Sequence, residues 1–161
     1  MSSGPLTLGT AGHIDHGKTA LIRRLTGTDT DRLPEERTRG ISIDLGYAQL
    51  ELPSGRTLSV IDVPGHERFV RTMIAGATGI DLFLLAVAAD DGVMPQTVEH
   101  VRVLRALGVT RGVLTVTKCD LADPAAALEA ASELLADAGM VVGPPVACST
   151  RTGVGLDALA Q

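Results

Sequence analysis

The sequence predicts a three-layer α/β/α protein, with helices on both faces of a six-stranded, mostly parallel sheet and one antiparallel hairpin strand at its edge. Three observations carry this prediction. Short apolar runs alternate along the chain with segments of helical period, the pattern of βαβ units. The runs at 82–88 (LFLLAVA) and 113–117 (VLTVT) are almost continuously apolar, as strands covered on both faces must be. The segment Pro53-Ser54-Gly55-Arg56 joins two β-rich stretches at a distance that only an antiparallel pair can use.

Taken in order, residues 6–11 read as the first strand, followed by a glycine-bearing loop and a short helix over 18–25. Residues 26–43, TGTDTDRLPEERTRGISI, are polar and charge-mixed, and too long for an ordinary connection, which marks them as a functional loop. The hairpin strands are 44–52 and 57–62. A helix over 96–107 lies between the two apolar central strands. The Ala-rich stretch 124–138 reads as a helix with Pro124 at its start and Gly139 just beyond its end. A last strand, 141–148, is interrupted by Gly143-Pro144-Pro145, and the prolines place it at a sheet edge.

The chain has 161 residues, one domain's worth, and its 45% hydrophobic and 20% charged content fits a globular protein. Cys119 and Cys148 are too few for a disulfide scaffold or a four-ligand zinc site, so a reducing compartment, the cytoplasm, is expected. No apolar run approaches a membrane span, so no membrane association is expected. A net charge of −5 and three aromatics (Tyr47, Phe69, Phe83) exclude direct sequence-specific nucleic-acid binding by this domain. The 14 basic residues include only two lysines, Lys18 and Lys118, and the chain has no asparagine. A compact ammonium and a planar guanidinium are not interchangeable where geometry is tight, so the two retained lysines are informative.

Gly12-His13-Ile14-Asp15-His16-Gly17-Lys18-Thr19 matches the phosphate-loop pattern G-x-x-x-x-G-K-[ST], after a strand and opening a helix, which makes the expected architecture that of a P-loop NTPase. Its glycines let backbone N–H groups converge on phosphate oxygens beside the positive end of the helix dipole. Lys18 is expected between the terminal phosphates and the Thr19 hydroxyl on Mg²⁺. Alone, this motif leaves ATPase, kinase and GTPase open.

Asp62-Val63-Pro64-Gly65 ends a strand with an Asp placed to reach Mg²⁺ through water and a Gly65 N–H placed to meet the γ-phosphate. Thr117-Lys118-Cys119-Asp120 supplies base reading. The Asp120 carboxylate can accept from guanine N1–H and its 2-amino group, whereas adenine would leave a buried acceptor unpaired. Cys148-Ser149-Thr150 is placed to close over the guanine O6 with backbone N–H groups. Ser42 offers a second hydroxyl to Mg²⁺, which makes residues 26–43 a candidate switch ordered by the γ-phosphate. His66 is a candidate for orienting the attacking water, while the His13, His16 and His100 side chains read as ordinary loop and core histidines.

These motifs resemble those of the translation-factor GTPases: GHIDHGKT at 12–19, RGISID at 39–44, DVPGHERFV at 62–70 and AADDGVMPQTVEH at 88–100. Residues 28–48 together with TKCD are most similar to the selenocysteine-specific branch. The resemblance implies a Mg²⁺-dependent, GTP- and GDP-binding domain, slow alone for want of a built-in arginine finger, and activated by the ribosome. It assigns Lys18, Thr19, Ser42 and Asp62 to phosphate and Mg²⁺, and Lys118, Asp120 and Ser149 to guanine. It also gives His66 to the attacking water, Ile14 and Ile41 to an apolar gate, and Asp15 to assistance from the phosphate loop.

Selenocysteyl-tRNA would be held by domains outside this chain, the domain itself being a monomer whose final helix is barely begun at 155–159. Ser42, Thr117 and Thr150 stand where Thr, Asn and Ala are usual. Cys119 and Cys148 both border the expected guanine site, which raises a redox-sensitive pocket. An initiation factor 2 gamma or elongation factor Tu type domain, and a non-hydrolysing nucleotide-binding module, are the readings that remain open at this point.

Overall fold

The computed structural model describes residues 6–13, 16–27, 46–62 and 79–161. Its strands are β1 (Thr7–Ala11), β2 (Gly46–Glu51), β3 (Thr57–Asp62), β4 (Leu82–Ala88), β5 (Arg111–Thr117), β6 (Val141–Val142) and β7 (Val146–Ala147), and its helices α1 (Lys18–Thr26), α2 (Pro95–Ala106), α3 (Ala125–Asp137) and α4 (Leu156–Ala160). They form one sheet in the order β2-β3-β1-β4-β5-β6, with β7 also on β5. Every pair is parallel except β2 with β3, whose register runs from Gly46 opposite Asp62 to Glu51 opposite Thr57. The three-layer expectation holds.

Strand alternation divides the core. From β4, Phe83, Leu85 and Val87 join Val101 and Leu104 of α2 and Ala127, Ala131 and Leu135 of α3 on one face. Leu84 points the other way, into a cluster with Leu21 and Ile22 of α1, Leu50, Val60 and Cys148, flanked by Leu156 and Leu159 of α4. Helix α2 buries Thr97, His100, Val101 and Leu104, the i, i+3, i+4, i+7 spacing of one apolar stripe. Among the described residues no helix is long and apolar enough to cross a membrane.

The sheet departs from expectation in two details. Strand β5 begins at Arg111 rather than 113, because Gly112 extends the ladder instead of breaking it. A Cβ there would lie 2.2 Å from the Phe83 carbonyl oxygen and 2.5 Å from its ring, so only glycine lets β5 approach β4 over that aromatic. The last strand, interrupted at 143–145 as expected, counts as two short pieces, β6 beside Arg111 and Gly112 and β7 beside Thr115 and Val116, which makes the sheet seven-stranded rather than six-stranded. The intervening Pro144 and Pro145 have no N–H to give to the ladder.

Candidate functional site

Parallel order brings the C-terminal ends of β1, β4 and β5 to one edge of the sheet, where loops from successive strands meet. The phosphate loop leaves β1 there through Gly12, whose φ of +135° no ordinary side chain adopts. A Cβ on Gly12 would lie 2.3 Å from the Ala86 carbonyl oxygen, so the loop starts pressed against β4. Gly17 is left-handed (φ +81°) and caps α1. Lys18 is only 7% exposed, and its Nζ donates to the Gly12 carbonyl at 2.9 Å. Burial of that kind leaves little room for a guanidinium.

Asp62, at the end of β3, is buried, and hydroxyls reach both of its oxygens. Thr19 Oγ1 donates to Oδ2 at 2.7 Å, and Thr10 Oγ1, from β1, donates to Oδ1 at 2.9 Å. A carboxylate fixed in this way beside a hydroxyl at a helix N-terminus is a set of hard oxygen donors. It suits Mg²⁺, which takes one or two carboxylates and fills its octahedron with water and substrate phosphate. Among the described residues no three His, Cys, Asp or Glu side chains cluster as an all-protein metal site.

The base-reading candidates collect at the end of β5. Thr117 is buried, and its Oγ1 donates to the His16 carbonyl at 2.7 Å, which ties β5 to the phosphate loop. Lys118 adopts φ +59°, the one positive φ outside glycine among the described residues. Non-glycine residues hold that conformation at a cost of about 1 kcal/mol or more, and such strain concentrates at functional sites. Asp120 is exposed, and its Oδ1 accepts from Ser149 Oγ at 2.7 Å; that hydroxyl in turn accepts from Thr152 N–H at 3.2 Å. Thr150, half-buried, lies in the same turn, which a bond from Gly153 N–H to the Ser149 carbonyl at 2.9 Å closes.

Two histidines are more than core filling. The His16 ring is buried, its pKa lowered to about 4 by burial and by neighbouring His13, with Asp91 opposing. His16 Nε2 lies 3.3 Å from Asp91 Oδ2, a contact not aligned for a hydrogen bond. His100 Nδ1 accepts from Gly12 N–H at 2.9 Å. Its pKa is lowered to about 3, by burial first and then by Lys18 and His13. His16 and His100 are both buried, as expected of core histidines; the His16 main-chain carbonyl accepts from Thr117, and the His100 ring accepts from the N–H at the entry of the 12–19 loop. Burial pushes the Cys148 thiol up from its ordinary value, which disfavours the thiolate that redox chemistry needs.

Of the expected site residues, Gly12, His13, His16, Gly17, Lys18, Thr19 and Asp62 stand around the β1–α1 loop and the end of β3, and Thr117, Lys118, Asp120, Ser149 and Thr150 around the ends of β5 and β7. Ile14, Asp15, Ile41, Ser42, Gly65 and His66 lie outside the described residues. Thr10 was not among the expected residues. A hydroxyl at a buried position of the first strand was its one signal.

The elongation factor Tu GTP-binding domain family matches residues 5–161. The chain is 49% identical over 158 residues to the selenocysteine-specific elongation factor of Desulfomicrobium baculatum, covering 96% of this chain and 25% of that protein. A crystal structure of a bacterial selenocysteine-specific elongation factor superposes with a TM-score of 0.85 at 44% identity, over 96% of this chain and 27% of that one. Translation elongation factor SelB from Methanococcus maripaludis, solved in complex with the GTP analogue GppNHp, superposes with a TM-score of 0.77 at 28% identity, over 99% of this chain and 33% of that one. The chain thus spans about a quarter of the length of the curated relative it matches.

Proposed function

We propose, for a chain that belongs to the family of the elongation factor Tu GTP-binding domain, that it binds and hydrolyses GTP as the timing domain of a cytoplasmic factor delivering selenocysteyl-tRNA to the ribosome. The observation that carries the chemistry is the pairing of Thr19 with Asp62 at 2.7 Å beside the buried Lys18. In this reading Lys18 neutralises the terminal phosphates and the phosphate-loop backbone cradles them. Thr19 and Asp62 would hold Mg²⁺, with Thr10 fixing the Asp62 carboxylate. When bound, the ion supplies charge neutralisation for the leaving phosphate.

Asp120 reads guanine N1–H and the 2-amino group. Ser149 holds that carboxylate in place and Thr117 keeps the base end in register with the phosphate loop, while Lys118 covers the ring and Thr150 N–H closes on O6. Gly65 N–H and the Ser42 hydroxyl complete the switch on the γ-phosphate. His66 orients the water behind the gate of Ile14 and Ile41, with Asp15 assisting.

No arginine finger is supplied in this scheme, so turnover waits for the ribosome. Single-turnover hydrolysis measured with and without ribosomes should rise in their presence and fall on His66→Ala; equal rates in all three conditions would leave a nucleotide-binding module without catalysis. The selenocysteine assignment rests on the 49% identity to a named selenocysteine-specific factor. In a full-length factor carrying this domain, ribosome-stimulated turnover should require selenocysteyl-tRNA. Equal stimulation by an ordinary elongator aminoacyl-tRNA would make it a general delivery factor.

A further inference from the structure

The first glycine of the phosphate loop is held from three sides. Its Cα presses on β4, where a Cβ would lie 2.3 Å from the Ala86 carbonyl oxygen. Its carbonyl accepts from Lys18 Nζ at 2.9 Å. Its N–H leaves the strand ladder at the end of β1 and donates instead to His100 Nδ1, 88 positions along the chain on α2, at 2.9 Å. The three contacts bear on one residue, and one of them is with the phosphate-binding lysine itself.

His100 is an unexpected choice for its position. It is 0% exposed and lies on the α2 stripe with Thr97, Val101 and Leu104, where an apolar side chain would pack without polar atoms. Accepting from an N–H fixes its Nδ1 as the bare nitrogen, so the proton sits on Nε2. That Nε2 is buried with no hydrogen-bond partner among the described residues. A leucine or phenylalanine here would leave the buried Gly12 N–H without that acceptor. What the imidazole offers that an apolar side chain cannot is one acceptor for one N–H.

The geometry points to His100 as a positioning residue for nucleotide binding: its Nδ1 fixes the Gly12 peptide, and the Gly12 carbonyl fixes the Lys18 ammonium that meets the phosphates. The inference rests on reading residues 12–19 as the phosphate loop. The imidazole stays neutral across the working range, its pKa lowered to about 3, so the acceptor is not lost to protonation near pH 7. The role is steric and directional.

Two substitutions separate this role from packing. His100→Phe keeps a ring and removes the acceptor, whereas His100→Asn removes the ring and keeps an acceptor near the position of Nδ1. If His100 positions the loop, GDP should dissociate about tenfold faster from His100→Phe and within about threefold of the parental rate from His100→Asn. If His100 only packs, the order reverses, and that result overturns the proposal.

The preference for guanosine over inosine nucleotides should stay unchanged in both variants, because Asp120 is untouched. A change in that preference equal to the change in dissociation would mean general loosening, and would also overturn the proposal. A direct reading needs no variant. In ¹⁵N-labelled parental protein a scalar coupling across the hydrogen bond should connect Gly12 N with His100 Nδ1, and its absence rejects the bond. Parental protein that binds no GDP would overturn the phosphate-loop reading itself, whereas GDP binding with parental dissociation in His100→Phe overturns the positioning role alone.

Discussion

The two ends of the proposed nucleotide site are built differently. At the phosphate end, groups from β1, α1, β3 and α2 converge inside the protein: Thr10, Lys18, Asp62 and His100 are all buried, and the contacts joining them span up to 88 positions of sequence. At the base end, Asp120 is exposed and is steadied by the Ser149 hydroxyl, itself held within its own turn by Thr152 N–H. Phosphates are recognised by charge, which acts most strongly where water is excluded and donors are already fixed. A base is recognised by a pattern of donors and acceptors, and the Asp120 carboxylate proposed to read it is exposed until a base covers it. Thr117 joins the two by its bond to the His16 carbonyl.

The contrast predicts graded effects. The largest should come from Lys18→Arg, which keeps the charge in a place too tight for a guanidinium: titration with a fluorescent GTP analogue should show a loss of about 1000-fold, or about 4 kcal/mol. Near-parental affinity would show that the phosphate end is looser than its burial implies. Asp120→Asn should cost about 100-fold for GTP while xanthosine triphosphate gains, since the amide can donate to the 2-oxo group. Competition titration distinguishes this from general weakening, and unchanged guanine selectivity would move base reading away from Asp120.

Acid should attack the phosphate end. His16 and His100 hold folded pKa values of about 4 and about 3, against the usual 6.5. Between those values the unfolded chain binds more protons than the folded one, so stability is full above pH 6.5 and falls as pH drops toward 4. Each histidine accounts for about 2 kcal/mol of loss by pH 5. Urea unfolding as a function of pH should show this, with a shallower slope in His100→Asn. Equal slopes in the two proteins would mean that His100 titrates normally.

Smaller changes test the finer joints. Thr10→Val removes the hydroxyl on Asp62 and should raise the Mg²⁺ concentration needed to retain GDP by about tenfold, while Thr10→Ser restores it. A Mg²⁺ midpoint indifferent to Thr10→Val would separate Thr10 from the metal. Thr117→Val should weaken GTP and GDP by about fivefold alike through loss of the bond to His16. A loss confined to one nucleotide would show that Thr117 acts through something other than the join between the two ends.

Much of this site is legible in the chain because its chemistry is local in sequence. A loop that must wrap phosphate needs glycines and a lysine at fixed spacing, so residues 12–19 announce themselves, as do Asp62 and Thr117–Asp120 at the ends of apolar runs. Thr10 and His100 do not, because their roles depend on distant partners, Asp62 and Gly12, that only strand order brings near. His100 in particular falls on the helical stripe that periodicity assigns to the core, and burial alone cannot distinguish packing from hydrogen bonding.

The sequence by itself determined the layer order, the antiparallel edge and the two nucleotide motifs, since these follow from hydrophobic period and from backbone demands that few residue types satisfy. Tertiary structure alone decided that both pieces of the interrupted last strand pair with β5 and that Gly112 continues β5 over Phe83. It also decided that one buried histidine takes the N–H of Gly12. Each of these turns on which atoms lie within about 3 Å across the fold, a distance that sequence spacing does not encode.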